Sequence, residues 1–150
     1  MKVCICASMS AYKRFIDLKS ELEKIGHEVF APDLEFKTDN SDDTSVGHYF
    51  DTHGGIDAFP LGHDVWQKKG EAIRAHFKKI DNSDCILVAN YEKKGIQNYI
   101  GGNTFLEIGY AFGQNKKIFI LHEVADSSTF KEEIFGMQPT IISGDLSLIR

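Results

Sequence analysis

The sequence predicts an α/β domain of three layers, in which a parallel sheet of about five strands is covered by helices on both faces. Short, wholly apolar runs alternate along the chain with longer segments whose apolar residues recur every three or four positions. Strands that alternate with helices in this way are joined by right-handed crossovers. Since 150 residues form one hydrophobic core of ordinary size, residues 1–150 are expected to be a single domain.

The N-terminal part of the chain has the pattern of a β-α-β unit. Lys2–Ala7 is a continuous apolar run, typical of a strand that is buried on both faces of a parallel sheet. A helix is predicted over residues 11–25, with Gly26 as its stop and with apolar residues at helical spacing: Phe15, Leu18, Leu22 and Ile25. Residues 27–31 form the second predicted strand.

Residues 33–64 interrupt this alternation and show neither a helical nor a strand period. A segment of this length in a compact domain is typical of a lid or an inserted loop. Its clustered histidines and aspartates suggest a metal site, but their spacing matches no common metal motif, and a lid is the preferred interpretation. These residues are His48, Asp51, His53, Asp57, His63 and Asp64.

The alternation resumes in the second half of the chain. A helix is predicted over 65–80 with Trp66, Ile73, Phe77 and Ile80 on one side, then a strand over 84–89, a helix from 101 to about 114 and a strand over 117–121. The C-terminal part predicts a short helix over 130–135, a fifth strand over 140–142 and a helical turn after Gly144.

Composition excludes several classes of function. The chain is 42% apolar and 26% charged, and none of its apolar runs approaches the ~20 residues that span a bilayer, so a cytoplasmic protein without a membrane role is expected. A net charge of −5 gives no basic face for a nucleic-acid polymer, so any nucleotide partner should be small. Cys4, Cys6 and Cys85 lack CxxC spacing and are expected to be buried, reduced thiols rather than disulfides or zinc ligands.

Glu107 lies in the stretch YIGGNTFLEIGYA, where a Gly-Gly pair precedes a predicted helix. With Thr104 as the N-cap it fits a capping box, whereas with Asn103 as the N-cap it falls one residue too late. Its position near the positive end of the helix favours the ionised carboxylate that a nucleophile needs. The pattern leaves a cap and a reactive group open as alternatives. The same helix is expected to bury the stripe Phe105, Ile108 and Phe112.

Other polar residues fall in loops after the predicted strands, the edge at which parallel sheets bind ligands. Ser8 and Ser10 follow the first strand and either bind phosphate or sugar oxygens or cap the next helix. Gly101 and Gly102 either offer backbone N–H groups to an anion or form a plain turn. His76 edges the apolar side of its helix and is either a proton donor to a leaving group or a structural histidine.

Three segments together resemble the nucleoside 2-deoxyribosyltransferase-like family. They are ICASMS after the first strand, the IDNSDCILVAN strand, and GGNTFLEIGYAFGQNKKIFIL. The order N-T-x-x-E-I-G-Y-A, followed by a lysine and an apolar strand, is similar to the family signature D-x-G-T-x-x-E-x-G-x-A. The resemblance is strongest from about residue 76 to 121.

This resemblance implies a flavodoxin-like fold and cleavage of the N-glycosidic bond of a nucleoside or nucleoside 5′-monophosphate. Glu107 would attack C1′, and a second base or water would take the sugar from the covalent glycosyl-enzyme. His76 stands where many members have an Asp near the leaving base. Contacts to substrate are expected from the loops and the signature, at Ser8, Met9, Ser10, Asn90, Gly101, Gly102, Asn103, Thr104, Met137 and Gln138. A homodimer or larger homo-oligomer is implied, with residues 136–139 of a neighbour completing the pocket.

Departures from the signature define the alternatives. Gly101 stands where the transferases have an acid six residues before the nucleophile, which favours hydrolysis over base transfer and leaves open a nucleotide-sensing protein without turnover. The 91–102 loop also looks longer than in the family.

A second family offers a competing resemblance. IGGNTFLE resembles, with one residue fewer, the P-G-G-x-G-T-x-x-E of the cytokinin-activating, lysine decarboxylase-like phosphoribohydrolases. FMN binding on a flavodoxin-like fold is a further alternative; otherwise no cofactor and no metal are expected.

Overall fold

A computed structural model of the chain describes residues 1–36, 44–45 and 59–150. Its strands are β1 (Lys2–Ala7), β2 (Glu28–Phe30), β3 (Glu35–Phe36), β4 (Thr44–Ser45), β5 (Cys85–Ala89), β6 (Lys117–Ile120) and β7 (Thr140–Ile141). Its helices are α1 (Tyr12–Lys24), α2 (Asp64–Asp81), α3 (Gly102–Gly113) and α4 (Lys131–Gly136). Single 3-10 turns cover Met9–Ala11 and Leu146–Leu148.

Five of the strands form one parallel sheet in the order β2-β1-β5-β6-β7. The predicted α/β domain with about five parallel strands is therefore confirmed. The order reverses at β1, which lies between β2 and β5. Parallel sheets bind ligands beyond the carboxyl ends of the strands at such a reversal. The loops that begin at Ser8 and Asn90 meet at this point, where Lys93 donates a hydrogen bond to Ser8.

Side chains alternate between the two faces of β1 because a strand has a period of two. Val3, Ile5 and Ala7 face the core that α1 covers, whereas Cys4 and Cys6 face the core built with α2, α3 and α4. The two apolar cores stabilise the sheet from both sides. The second core differs in that it also receives polar side chains from the helices.

Three details of the predicted packing are wrong. Within the 33–64 insert, β3 and β4 pair as antiparallel strands, which the aperiodic sequence did not indicate. Ile25 is 53% exposed, since α1 ends at Lys24 and the residue caps the helix at the surface. Phe112 is 51% exposed, because the buried line of α3 runs through Thr104, Ile108 and Ala111 instead.

The suggested metal cluster of the insert falls mainly outside the described residues, since His48, Asp51, His53 and Asp57 lie in the segment 46–58. His63 is the N-cap of α2, and its Nδ1 accepts a hydrogen bond of 3.2 Å from the Val65 N–H. The neighbouring Asp64 is the first residue of that helix. No helix in the described ranges combines the length and the apolar character that a membrane crossing needs.

Candidate active site

Glu107 lies in the second turn of α3 and not at its cap. The helix begins at Gly102 with Gly101 as the N-cap, and the cap makes no side-chain hydrogen bond. Thr104 is thus the third helical residue, so the capping-box interpretation of Thr104 and Glu107 is wrong. At the start of this helix, the backbone N–H of Phe105 donates a hydrogen bond of 2.9 Å to the Gly101 carbonyl. The Glu107 side chain is free of any capping role and is only 14% exposed.

Glu107 packs against a buried imidazole and two thiols. Oε1 of Glu107 lies 3.7 Å from Nε2 of His76, which projects from α2. The same Nε2 is 3.7 Å from Sγ of Cys4 and 3.7 Å from Sγ of Cys6 on β1. Oε2 of Glu107 is fully buried and has no hydrogen-bond partner among the described residues. The cluster therefore joins a strand and two helices behind one partly exposed carboxylate.

Burial raises the pKa of Glu107 to about 7, although the nearby charge of His76 opposes the shift. The expectation that the helix start keeps this carboxylate ionised is therefore wrong. A helix terminus acts within about one turn, whereas loss of hydration acts on the whole buried carboxylate. Near neutral pH Glu107 is poised between a proton donor and a nucleophile.

Each of the other members of the cluster also titrates abnormally. A hydrogen bond from Cys6 lowers the pKa of Cys4 to about 6, against the effect of burial, and His76 adds to the lowering. Burial raises the pKa of Cys6 well above its usual range. Burial lowers the pKa of His76, but its contact with Cys4 and the charge of Glu107 outweigh that effect and raise it. One sulfur thus favours the thiolate and the other stays a thiol.

A second polar group forms where the loops after β1 and β5 meet. Oγ of Ser8 lies 3.0 Å from Oγ of Ser10, and Nζ of Lys93 donates to Ser8 Oγ over 3.1 Å. Ser8 precedes the Met9–Ala11 turn without making a side-chain cap, so its hydroxyl does not serve the helix. Sequence reasoning found the serines and missed Lys93, which the polar pattern of its loop does not distinguish from its neighbours.

Lys69 of α2 connects the two groups electrostatically. Burial lowers the pKa of Lys69, and the charges of Glu107 and Lys93 act on it in opposite directions. Lys69 is thus a half-buried lysine whose pKa depends on both groups. This residue was not predicted either, because lysines on an amphipathic helix are usually solvated.

Asn90 has a clear structural role at the end of β5. Its Nδ2 donates to the carbonyls of His122 and Glu123 over 3.0 and 3.1 Å, and its Oδ1 accepts from the His122 N–H over 3.0 Å. These bonds tie the loop after β5 to the loop after β6. Contact of Asn90 with a substrate stays a prediction.

Gly101 leaves room for the close approach of the Tyr99 ring. A Cβ atom added at Gly101 would lie 2.9 Å from Cε1 of the Tyr99 ring. The acid that the transferases carry at this position would thus displace Tyr99. Gly102 and Asn103 are exposed at the helix start, and Thr104 is 4% exposed and packs inward.

Met137 and Gln138 follow α4 along the side of α3. Met137 packs against the second core and lines a cavity of about 470 Å³ together with Phe77, Phe105, Leu106, Gly109, Tyr110 and Glu133. Gln138 adopts a left-handed backbone with φ of 51°. A role for residues 136–139 in the pocket of a neighbouring chain stays a prediction.

Comparison with known proteins supports the fold. No protein-family profile matches the chain, and no curated protein sequence matches it significantly. A 2-deoxyribosyltransferase from the psychrotolerant bacterium Bacillus psychrosaccharolyticus aligns with a TM-score of 0.55 and 12% identity over 91% of this chain and 82% of its own. CMP N-glycosidase BcmB from Clostridium botulinum aligns with a TM-score of 0.49 and 17% identity over 94% of this chain and 85% of its own. The resemblance predicted from sequence is thus confirmed at the level of architecture, and the chain has the fold of a nucleoside 2-deoxyribosyltransferase.

Proposed function

We propose that the protein cleaves the N-glycosidic bond of a nucleoside or nucleoside 5′-monophosphate, with Glu107 as the nucleophile. One observation carries the proposal: Glu107 is a partly exposed, otherwise buried carboxylate held 3.7 Å from His76 at its inner side. A glutamate that only capped a helix or carried a surface charge would not have to be buried beside a histidine. The shared fold with a 2-deoxyribosyltransferase supports a substrate that carries a sugar–base bond.

The chemistry suits a carboxylate of this kind. Ionised Glu107 stabilises positive charge that develops at C1′ as the base departs, and one oxygen then forms an ester with C1′. Water attacks this ester in hydrolysis, and a second base attacks it in transfer. A single difficult step is thereby divided into two easier ones.

We assign His76 to Glu107 rather than to the leaving base. Its Nε2 is directed at the carboxylate and at the sulfurs of Cys4 and Cys6, each 3.7 Å away. A protonated imidazole at this distance favours the ionised carboxylate, and the charge of His76 does lower the pKa of Glu107. His76 is therefore a positioning residue in this proposal.

The serine–lysine group supports a 5′-monophosphate as the preferred substrate. At the carboxyl edge of the sheet, the Ser8 hydroxyl lies 3.0 Å from the Ser10 hydroxyl and 3.1 Å from the Lys93 ammonium. Hydroxyls and a lysine form the charge-assisted hydrogen bonds that bind phosphate. Lys69, whose pKa responds to both Lys93 and Glu107, adds a second positive charge near this group.

Base release from a panel of nucleosides and 5′-monophosphates, measured by chromatography, tests the proposal. Glu107→Gln keeps the shape and removes the nucleophile, so it should lower kcat/KM by at least about 1000-fold. Glu132→Gln changes an exposed carboxylate on α4 and is the matched control that should retain activity. If no substrate releases its base or exchanges it, the proposal is wrong.

The preference for monophosphates has its own test. Lys93→Ala should raise KM for 5′-monophosphates by about 10- to 100-fold, the value of one charged hydrogen bond, and leave nucleosides unaffected. Equal losses for both substrate classes would contradict a phosphate contact.

A nucleotide-binding protein without turnover is the second candidate. It is favoured by Gly101, where Tyr99 occupies the space that a side chain would need. This candidate predicts that a nucleotide binds tightly and that Glu107→Gln leaves both the affinity and the absence of turnover unchanged.

A further inference from the structure

The cluster behind Glu107 has the composition of a metal site. Cys4 and Cys6 are two positions apart on β1, so the pleat of the strand directs both sulfurs to the same face. Both residues are 0% exposed and neither forms a disulfide. The two sulfurs lie on the same face of β1 in the same core, so they can supply two of the four ligands of a tetrahedral metal ion.

His76 supplies the third donor. The two sulfurs and the imidazole nitrogen all lie within 4.8 Å of one another. Ligand bonds of about 2.3 Å for sulfur and 2.0–2.1 Å for nitrogen place S and N about 3.6 Å apart at a tetrahedral angle. The observed separation of 3.7 Å between His76 Nε2 and each sulfur agrees with this value. No rearrangement of the strand or of α2 is required to bring these three donors together.

Glu107 lies next to these three donors. Its Oε1 is 3.7 Å from Nε2 of His76, but only the Cys4, Cys6 and His76 donor atoms lie within 4.8 Å of one another, so the carboxylate has to shift toward the sulfurs to become a fourth ligand. Among the described residues no group within hydrogen-bonding geometry satisfies the buried Oε2, and the Cys6 thiol contributes only a weak interaction with the carboxyl group. A bound cation satisfies this oxygen and the negative charge of the cluster at once.

We propose that Cys4, Cys6 and His76 bind one Zn²⁺ ion and that a shift of the adjacent Glu107 carboxylate supplies the fourth ligand. Two thiolates, an imidazole and a carboxylate suit the tetrahedral preference and the borderline-soft character of zinc, whereas Ca²⁺ and Mg²⁺ require oxygen ligands. The sulfurs bind as thiolates, so any thiol proton present is released to solvent as the metal–sulfur bonds form. The partly exposed Glu107 side chain is the point of entry.

Zinc at this position switches off the activity proposed above, and this consequence rests on that proposed function. Coordination occupies the carboxylate lone pair with which Glu107 attacks C1′. Metal-loaded protein is thus the resting form, and removal of the metal restores the nucleophile. Binding itself is independent of whether the protein turns over any nucleotide, so the two proposals fail separately.

Cobalt titration of the full chain tests the site. Protein stripped of metal with a chelator should take up one equivalent of Co²⁺, with thiolate-to-cobalt charge-transfer absorption and the intense visible bands of a tetrahedral ion. One equivalent of Zn²⁺ should abolish both signals. The charge-transfer absorption requires sulfur ligands, so it separates this site from any metal bound by the histidines and aspartates of 48–64.

A matched set of cysteine variants locates the ion. Cys4→Ser and Cys6→Ser should each weaken Co²⁺ binding by at least about 100-fold. Cys85→Ser is the control, because Cys85 is equally buried but lies in the core on the α1 side of the sheet. Circular dichroism checks the fold, and His76→Asn replaces either cysteine variant that fails to fold.

Three results would overturn the proposal. They are the absence of charge-transfer absorption in the wild type, a spectrum that survives the loss of either cysteine, and an equal loss in Cys85→Ser. Base release in the presence of zinc and of chelator then measures the switch in any protein that shows turnover.

Discussion

The two faces of β1 differ in what the same strand presents to each side of the sheet. Toward α1 it presents Val3, Ile5 and Ala7, which join an almost wholly apolar core. Toward α2 and α3 it presents Cys4 and Cys6, which meet His76 and Glu107. Burial of apolar groups stabilises both faces, and on the second face it also shifts the pKa values of Glu107 and Cys6.

This difference teaches that desolvation has opposite consequences for hydrocarbon and for ionisable groups. Each buried methylene on the α1 side contributes about 0.8 kcal/mol to folding. On the other side, burial raises the pKa of Glu107 to about 7, and one of its oxygens has no hydrogen-bond partner in the part of the chain that the structure describes. Substitutions of apolar residues on the α1 side of β1 should therefore change stability, whereas substitutions in the ionisable cluster on the α2–α3 side should mainly change activity.

The largest expected effect is on the apolar face. Ile5→Ala should reduce the free energy of unfolding by about 2 to 5 kcal/mol, since Ile5 is 0% exposed and its truncation leaves a cavity. Cys6→Ala on the opposite face removes one atom and should cost about 1 kcal/mol. Urea unfolding measures both changes. The comparison fails if Cys6→Ala is the more destabilising of the two.

The second effect is the pH dependence of stability. The folded-state pKa of Glu107, about 7, lies above the usual value of 4.5, so the folded state binds the proton more tightly. Stability from this group is complete below pH 4.5 and is lost as the pH rises through 7. Wild type should thus lose roughly 1 to 3 kcal/mol relative to Glu107→Gln over this range. Thermal unfolding at several pH values measures the difference, and a constant difference would contradict burial as the cause.

The third effect concerns His76 and the pH dependence of activity. Because the charge of His76 lowers the pKa of Glu107, His76→Asn should shift the acidic limb of the rate profile to higher pH. At pH 7 the loss in kcat should be about 10- to 100-fold, with recovery at alkaline pH. A uniform loss at every pH would indicate a purely structural role.

The smallest effect is expected at the start of α3, where Gly101 contacts the Tyr99 ring. Gly101→Ala places a Cβ 2.9 Å from the Tyr99 ring and should cost about 1 to 2 kcal/mol of stability. In a Tyr99→Ala background the same substitution should cost less, because the clash is absent. A double-mutant cycle by urea unfolding gives the coupling, and a value near zero would show that Tyr99 does not exclude a side chain there.

Local sequence patterns determined the elements of this fold. Lys2–Ala7 and the other apolar runs became strands, and the helices follow the three- and four-residue spacing of their apolar residues. The parallel sheet follows from that alternation, since parallel strands need crossovers. Ser8, Ser10 and Glu107 were identified because loops after strands and a carboxylate in a recognisable motif are local features as well.

Contacts between distant residues were decided by tertiary structure alone. His76 reaches Cys4 over 72 residues, and Lys93 reaches Ser8 over 85. A period of two predicts that Cys4 and Cys6 share a face of β1, but only packing shows which helix covers it. The pKa of Glu107 was also decided by the fold. A helix dipole, which lowers this pKa, can be inferred from sequence, whereas the burial that raises it cannot. Sequence therefore identified Glu107, His76 and the serines as candidates, whereas the tertiary structure added Lys93 and the two thiols and set the chemistry of the site.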